Sequence, residues 1–410
     1  MSSGQACRFC SGENLVSFVD LGVSPPSNAF LRETDLPKME RFYPLHAFVC
    51  DRCLLVQLEE FESPEQIFND YVYFSSYSTS WLAHCERYCN TAIKRLALSE
   101  SSLVMELASN DGYLLQYFLK KRIPVIGIEP AANVAKVAIE AGIPTEVSFF
   151  GKAKAEEMVL RGKLADLIVA NNVLAHVPDI NDFVAGIEVA LGKSGTVTFE
   201  FPHLFRLIES NQYDTIYHEH FSYLSLMTVQ SILSAHELRV YDVEELSTHG
   251  GSIRVWACHR DAPYITTSAV SDILKMESGA GMDTIDGYRT FSASAEKSKW
   301  ALLRFLIEAR ESDKRVAAYG AAAKGTTLLN YCGVRTDMVE FVCDRNPHKQ
   351  GKYMPGCRVP VRDPKVIAES QPDYVLILPW NLRDEISGQL DYIRSWGGKF
   401  VVPIPTVEVF

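Results

Sequence analysis

No apolar run in this 410-residue chain approaches the ~20 residues that a membrane-spanning helix needs, so passage through a bilayer on helices is excluded. The first ten residues, MSSGQACRFC, lack a basic stretch followed by an apolar core. No secretion leader is therefore expected, and the cytoplasm is the expected location. Positive charge is also short. The 40 Lys and Arg stand against 51 Asp and Glu, a net charge of −11, so no broad basic face is expected for nucleic acid. A local basic pocket for one phosphorylated ligand remains compatible with that balance. Two signatures are missing: the GxGxxG loop of dinucleotide-binding units and the HExxH helix of zinc proteases. Low-complexity tracts and short-period repeats are absent too, and 47% hydrophobic with 22% charged residues is ordinary globular composition. Nothing in the chain specifies an oligomer, and a monomer is the expectation.

What is present falls into three textures, matching the two or three domains that this length suggests. Residues 1–70 are rich in Cys, Pro and short apolar runs. Residues 71–260 alternate strand-like and helix-like stretches, with SLVMELA, PVIGIEP, ADLIVANN and GTVTFEFP as the strands. Residues 261–410 repeat that texture through RVAAYGAAAKG, MVEFVCDRN, DYVLILPWN and GKFVVPIP, after a helical stretch over roughly 270–312. Such alternation predicts an α/β protein with parallel sheets and helices on both faces.

Ten cysteines in a chain without a leader read as reduced thiols. Cys7 and Cys10 form one CxxC knuckle, Cys50 and Cys53 another. Four thiolates so paired can converge on one ion, and soft sulfur selects zinc over magnesium or calcium. A short segment with little core would gain stability from that staple. A closed four-sulfur site leaves no position for substrate, so the zinc reads as structural. The competing reading is four unrelated cysteines, one pair redox-active. Cys85, Cys89, Cys258, Cys332, Cys343 and Cys357 show no metal spacing.

The segment Val104 to Tyr113 has the order strand, small-residue turn, helix, placing Glu106, Ala108, Ser109, Asn110, Gly112 and Tyr113 where a cofactor would approach the backbone. Glu129, followed by Pro130, ends the next strand about 20 residues on, as a ribose-binding carboxylate would. Asn171 and Asn172 end the third. S-adenosylmethionine and NAD both use this geometry. The lack of GxGxxG, with Ala108 and Asn110 near the first two glycine positions, favours S-adenosylmethionine without closing the question.

Tyr217-His218-Glu219-His220-Phe221-Ser222-Tyr223 gathers two histidines, a glutamate and two tyrosines. Imidazole is the usual base near neutral pH, and a carboxylate nearby can fix its tautomer. A metal site and a plain polar loop are the alternatives. His176 and the tyrosines of Tyr71-Val72-Tyr73 are further candidates. Gly320-Ala321-Ala322-Ala323-Lys324-Gly325 lies between a strand and a helix, where small residues admit a phosphate and Lys324 brings charge. Asp344 ends the following strand. Gly250, Gly251 and Arg254 could contact sugar or phosphate, or serve strand packing.

Jointly, the two knuckles, ELASNDGYLL at 106–115, NNVLAHVPD at 171–179, YHEHFSYLS at 217–225, HGGSIRV at 249–255 and GAAAKG at 320–325 resemble the sugar C-methyltransferases of deoxysugar pathways. The resemblance covers essentially the whole chain. It implies a small N-terminal zinc-binding domain, a middle S-adenosylmethionine-binding Rossmann-like domain and a C-terminal Rossmann-like domain. It also implies that His220 is the general base, that Tyr217 and Glu219 support it, and that Tyr71 and His176 line the same pocket. The implied substrate is a dTDP-, CDP- or GDP-linked 4-keto-deoxysugar, methylated at carbon 3 through an enolate. An NAD-linked nucleotide-sugar oxidoreductase and a non-enzymatic zinc-bearing binding protein are the rival readings.

Overall fold

The computed structural model describes residues 6–63 and 75–410, in which three sheets carry the chain. Tyr71 and Tyr73 lie outside the described residues. Strands β1 (Leu15–Ser24), β2 (Tyr43–Cys50) and β3 (Val56–Leu58) form an antiparallel meander, with the second cysteine knuckle in the β2–β3 turn.

The middle sheet uses β4 (Val104–Leu107), β5 (Val125–Ile128), β6 (Thr145–Glu146), β7 (Ala165–Asn171) and β8 (Leu191–Pro202) as parallel neighbours. The two-residue β9 (Ser222–Tyr223) leaves this unit. Then β10 (Leu238–Leu246) and β11 (Ser252–His259) return as antiparallel strands, for the order β10-β11-β8-β7-β4-β5-β6. The order reverses at β4, which has β5 on one side and β7 on the other; the crevice beyond the carboxyl end of such a strand receives ligands in α/β sheets. The third sheet holds β12 (Val316–Tyr319), β13 (Val342–Cys343), β14 (Val361–Arg362), β15 (Tyr374–Ile377), β16 (Lys399–Val402) and β17 (Glu408–Val409), in the order β14-β13-β12-β15-β16-β17. Its reversal lies at β12, and only β17 runs antiparallel.

The helix Thr79–Leu96 shows how local sequence writes such elements. Ser78 caps it by accepting from the Trp81 amide, and Lys94 and Arg95 face the negative end of its dipole. Cys85, Tyr88, Cys89 and Ala92, spaced three, one and three apart, are its buried face against the middle sheet. The helical stretch expected over 270–312 is instead two helices, Ser268–Gly279 and Phe291–Glu311, parted by a 3-10 turn at Ile285–Tyr288. Gly279, Gly281 and Gly287 cluster at the break, where helix propensity is weakest.

The three sequence textures do not pack as three separate bodies. β9, from within the middle segment, pairs with β3 (Val56 opposite Tyr223, Gln57 opposite Ser222) and completes the N-terminal sheet. Phe18 of β1 stacks on Phe291, with ring centroids 4.6 Å apart, and shares one apolar cluster with the C-terminal unit. No described helix is long and apolar enough to cross a membrane.

Candidate active site and metal centre

The four sulfurs of Cys7, Cys10, Cys50 and Cys53 lie within 4.8 Å of one another, with Cys7 Sγ 3.5 Å from Cys53 Sγ and Cys10 Sγ 3.6 Å from Cys50 Sγ. A zinc tetrahedron with bonds of ~2.3 Å has edges of about 3.8 Å, so the donor set fits one ion with no coordination position left open. The two knuckles are folded alike. Ser11 donates its amide to the Cys7 carbonyl and Leu54 to that of Cys50, both at 2.9 Å, and both have left-handed backbone. Arg8, inside the first knuckle, donates to the carbonyls of Pro178 (2.7 Å) and Leu58, and its guanidinium stands 5.4 Å over the Phe221 ring. The metal centre is thereby bonded to the histidine-rich turn.

At the end of β4, Ala108, Asn110 and Gly112 all have left-handed backbone, so the turn curls away from the strand. A side chain at Gly112 would be strained by the left-handed backbone (φ 78°) and would have to displace Ile143 Cδ1, 2.2 Å from the Cβ position. Glu129 accepts the Asn110 amide on one oxygen and the Ala131 amide on the other, both at 2.8 Å, and keeps lone pairs for a ligand. Pro130 leads from it toward the helix Ala132–Glu140. Ser75 and Ser76 cover the turn from above through Asn110 Oδ1 (3.0 Å) and Asp111 Oδ2 (2.6 Å from Ser76 Oγ). The Tyr113 side chain lies against the Glu106 carboxyl, which burial raises well above the usual range. Asn172 donates its amide to the Glu200 carbonyl. Ser109 Oγ, Asp111 Oδ1 and both amide atoms of Asn171 are buried without a partner among the described residues. Orphaned donors and acceptors at a switch point fit S-adenosylmethionine, whose hydroxyl, amino and carboxylate groups need both kinds.

The same device recurs at β12 and β13. Asp344 accepts the Ala321 amide on one oxygen and the Asn346 amide on the other, both at 2.8 Å, as Glu129 does in the middle domain. The turn it shapes carries Lys324 close enough for its charge to be felt at His220 and His249, and the space these residues flank is the candidate cleft. Lys324 Nζ donates to Asn381 Oδ1 (2.9 Å) and stands 4.7 Å over the Trp380 ring. Burial lowers its pKa, while Asp214 opposes that shift. Asp214, which accepts from Trp380 Nε1 at 2.8 Å, is itself pushed up to about 6 by burial.

His220 sits across this cleft. Its Nδ1 lies 3.2 Å from the Thr215 carbonyl, which can only accept, so Nδ1 carries the proton and Nε2 holds a lone pair. Likewise His176 Nδ1 donates to the Glu219 carbonyl at 2.7 Å. The two imidazoles meet edge to face with centroids 4.6 Å apart, and the Tyr217 ring lies 4.1 Å from His220. Burial, then the neighbouring His176, holds the His220 imidazolium well below its ordinary range; burial brings His176 to about 4. Both rings are neutral at pH 7, and the pair could take up a proton at Nε2 of His220.

Other expected residues lie elsewhere. The Glu219 carboxylate does not face His220: it accepts from Asn28 Nδ2 at 2.7 Å on the far side, and only its backbone carbonyl reaches the cleft, through His176. His218 donates to the Pro44 carbonyl at 3.1 Å, so the HEH triplet diverges in three directions and forms no metal-binding cluster among the described residues. Arg254, expected at the substrate, is turned into the middle sheet, where it pairs with Glu200 (2.7 Å) and Glu244 (3.1 Å) and covers the Tyr88 ring. Its charge is taken up by these carboxylates, so it organises the cleft wall. A Cβ at Gly250 would lie 2.5 Å from Trp380 Cη2; that glycine serves close packing between the two domains. Sequence reasoning missed Thr215, Asp214, Trp380, His84, Glu200 and His249. His249 stands at the head of HGGSIRV and Asp214 just before the histidine-rich turn, whereas Trp380 carried no signal.

Comparison with known proteins places residues 7–68 in the family described as "Putative zinc binding domain", 81–243 in "Methyltransferase domain" and 247–405 in "C-methyltransferase C-terminal domain". C-methyltransferase NovU of Streptomyces niveus is 36% identical over 404 residues, covering 98% of this chain and 96% of that protein. Among solved structures, the magnesium protoporphyrin IX methyltransferase of Synechocystis PCC 6803 with bound SAH aligns over 43% of this chain and 83% of its own, at 11% identity and TM-score 0.35. An S-adenosylmethionine-dependent methyltransferase of Clostridium acetobutylicum ATCC 824 aligns over 43% and 92%, at 8% identity and TM-score 0.35.

Proposed function

The chain belongs to the C-methyltransferase family, and from that membership we propose that it methylates carbon 3 of a nucleotide-linked 4-keto-deoxysugar with His220 as the general base. Membership removes the nicotinamide-linked oxidoreductase and the non-enzymatic scaffold as alternatives. S-adenosylmethionine, held by the β4 turn, Glu129 and Asn171, supplies an electrophilic sulfonium methyl.

The observation that carries the reading is the tautomer of His220. Carbon methylation needs a carbon nucleophile, and a carbon beside a ketone becomes one when a base removes its proton. A neutral imidazole with Nδ1 tied to the Thr215 carbonyl presents a lone pair at Nε2, and the same carbonyl stabilises the imidazolium once the proton arrives. Tyr217 holds the ring by close, tilted contact, with centroids 4.1 Å apart at 35°. His176 crowds the imidazolium and so favours the proton's later departure. Lys324, on the opposite wall, suits the diphosphate of a dTDP-, CDP- or GDP-linked sugar. Its ammonium is fixed by Asn381, so little ordering remains when an anion arrives. The zinc centre takes no part in the chemistry; it holds the turn that bears the base.

The test is turnover of the zinc-loaded protein with S-adenosylmethionine and a panel of dTDP-, CDP- and GDP-linked 4-keto-sugars, read by mass spectrometry. A gain of one methylene unit, abolished in a folded His220→Ala variant that still binds S-adenosylmethionine, is the expected result. A gain that survives the substitution would transfer the base to His176. With substrate deuterated at carbon 3, absence of the label from the methylated product, while unreacted substrate keeps it, distinguishes carbon chemistry from methylation of a hydroxyl or amine.

A further inference from the structure

His249 is the middle residue of the five-residue loop between β10 and β11, at φ 55° and ψ 19°. Glycine adopts this left-handed backbone freely; histidine does so under strain, and strained residues persist where surrounding structure and use require them. The ring is solvent-accessible, yet it stands inside the cleft. Trp81 lies 5.7 Å away at 56°, and Lys324, Glu200 and His84 are its charged or titratable neighbours. Among the described residues neither ring nitrogen has a hydrogen-bond partner.

Its position joins the two ligand regions. Trp81 stacks on His84 (5.0 Å) and reaches Tyr113 of the cofactor turn (6.2 Å). On the other side, His249 lies close enough to both Lys324 and His220 for their charges to interact. Glu200 is engaged by Arg254, His84 and Thr248, and Asp214 accepts from Trp380 on one oxygen, its other oxygen being buried without a partner among the described residues. The unpartnered imidazole N–H of His249 and the ammonium of Lys324 are thus donors on the same side of the site, and an oxygen-rich, negative group is what that pair would bind.

We infer that His249 contacts the substrate directly, donating a hydrogen bond to one of its negatively charged oxygens. The inference rests on the C-methyl transfer proposed above and adds a third imidazole to its site, beside His220 and His176. That oxygen is either the developing enolate or the diphosphate. An imidazole at neutral pH always has at least one N–H to give.

His249→Gly and His249→Asn separate contact from scaffolding, because both residues tolerate left-handed backbone. If His249 only shaped the loop, each variant would melt at or above the wild-type temperature and turn over normally. Contact with substrate predicts that the melting temperature holds or rises while kcat/KM falls by about 100-fold, the scale of a lost oxyanion donor. An enolate contact slows deuterium exchange at carbon 3 and leaves the Kd of the nucleoside diphosphate alone unchanged; a diphosphate contact raises that Kd. Folded variants with kcat/KM within about twofold of wild type, a factor worth less than one ordinary hydrogen bond, would overturn the inference. Should the wild type methylate none of the sugars, the proposed reaction falls, and nucleoside-diphosphate binding alone decides whether His249 touches a ligand.

Discussion

Acidification from pH 7 to pH 5 should weaken the fold by about 1–2 kcal/mol at His176 alone. The imidazole is enclosed, and burial brings it from 6.5 to about 4 although the Glu219 carbonyl favours the charged form. Above pH 6.5 the residue is neutral both folded and unfolded, and it contributes no pH dependence. Below that value the unfolded chain takes up a proton that the folded chain refuses, so stability falls with falling pH until about pH 4, where the folded imidazole titrates too. Each unit of separation is worth ~1.4 kcal/mol. At pH 5 the ceiling is about 2 kcal/mol, reduced toward 1 by the ring's residual contact with solvent. The assay is urea unfolding of the wild type and of His176→Asn at pH 7, 6 and 5. Asparagine can donate to the Glu219 carbonyl from the same side but cannot titrate. The stability difference between the two proteins should shift by the stated amount in favour of the variant as the pH falls. Parallel pH dependence in both would mean that His176 titrates near 6.5, and the enclosure argued for the cleft would be wrong.

Three further outcomes follow from the same geometry. Because His220 is held neutral far below pH 6.5, kcat/KM should stay flat from pH 8 to pH 6; an acidic limb near 6.5 would count against His220 as an enclosed base. Removing zinc with a strong chelator should abolish turnover together with metal release, and added zinc should restore it, since β3 and Arg8 grip the turn that carries His220. Gly112→Ala places a methyl 2.2 Å from Ile143 Cδ1 on a left-handed backbone, so we expect at least a tenfold loss of S-adenosylmethionine affinity by calorimetry, with about 2 kcal/mol lost in stability.

Much of this architecture is legible in the sequence because its signals are local. A CxxC pair needs only its own spacing, and strand, turn and helix at Val104 to Tyr113 declare themselves within ten residues. What escapes is direction. Glu219 sits beside His220 in the chain, yet successive side chains in an extended turn diverge, and its carboxylate ends on Asn28, from the N-terminal segment. Arg254 has the charge expected of a phosphate ligand, but two carboxylates one strand away on either side, Glu200 on β8 and Glu244 on β10, claim it first. Glu244 is ten residues away across the β10–β11 hairpin, but Glu200, the nearer and fully buried partner, is 54 residues away, and no local pattern points to it. Thr215 was missed for a related reason: its contribution is a carbonyl, which every residue possesses.

The placement of β9 gives the zinc domain a purpose that the metal alone does not explain. A closed four-sulfur site has no chemistry to offer, and the N-terminal sheet could have been stabilised by apolar burial against the C-terminal unit, which Phe18 and Phe291 already supply. The knuckle does something else. From Cys7 the chain passes to Arg8, whose guanidinium bonds Pro178, two residues beyond His176, and covers Phe221, one residue beyond His220. Phe221 in turn donates its amide to the Ala175 carbonyl and accepts from the Leu58 amide. Both imidazoles are therefore bracketed by backbone that the knuckle holds on one side and β3 on the other. Proton transfer at the proposed base needs it fixed within a fraction of an ångström, and the six residues 216–221 between the 3-10 turn Tyr213–Thr215 and β9 have too little core of their own to do that. A metal staple at the far end of a hydrogen-bonded sheet supplies the rigidity, which is why loss of zinc should be felt first as loss of turnover.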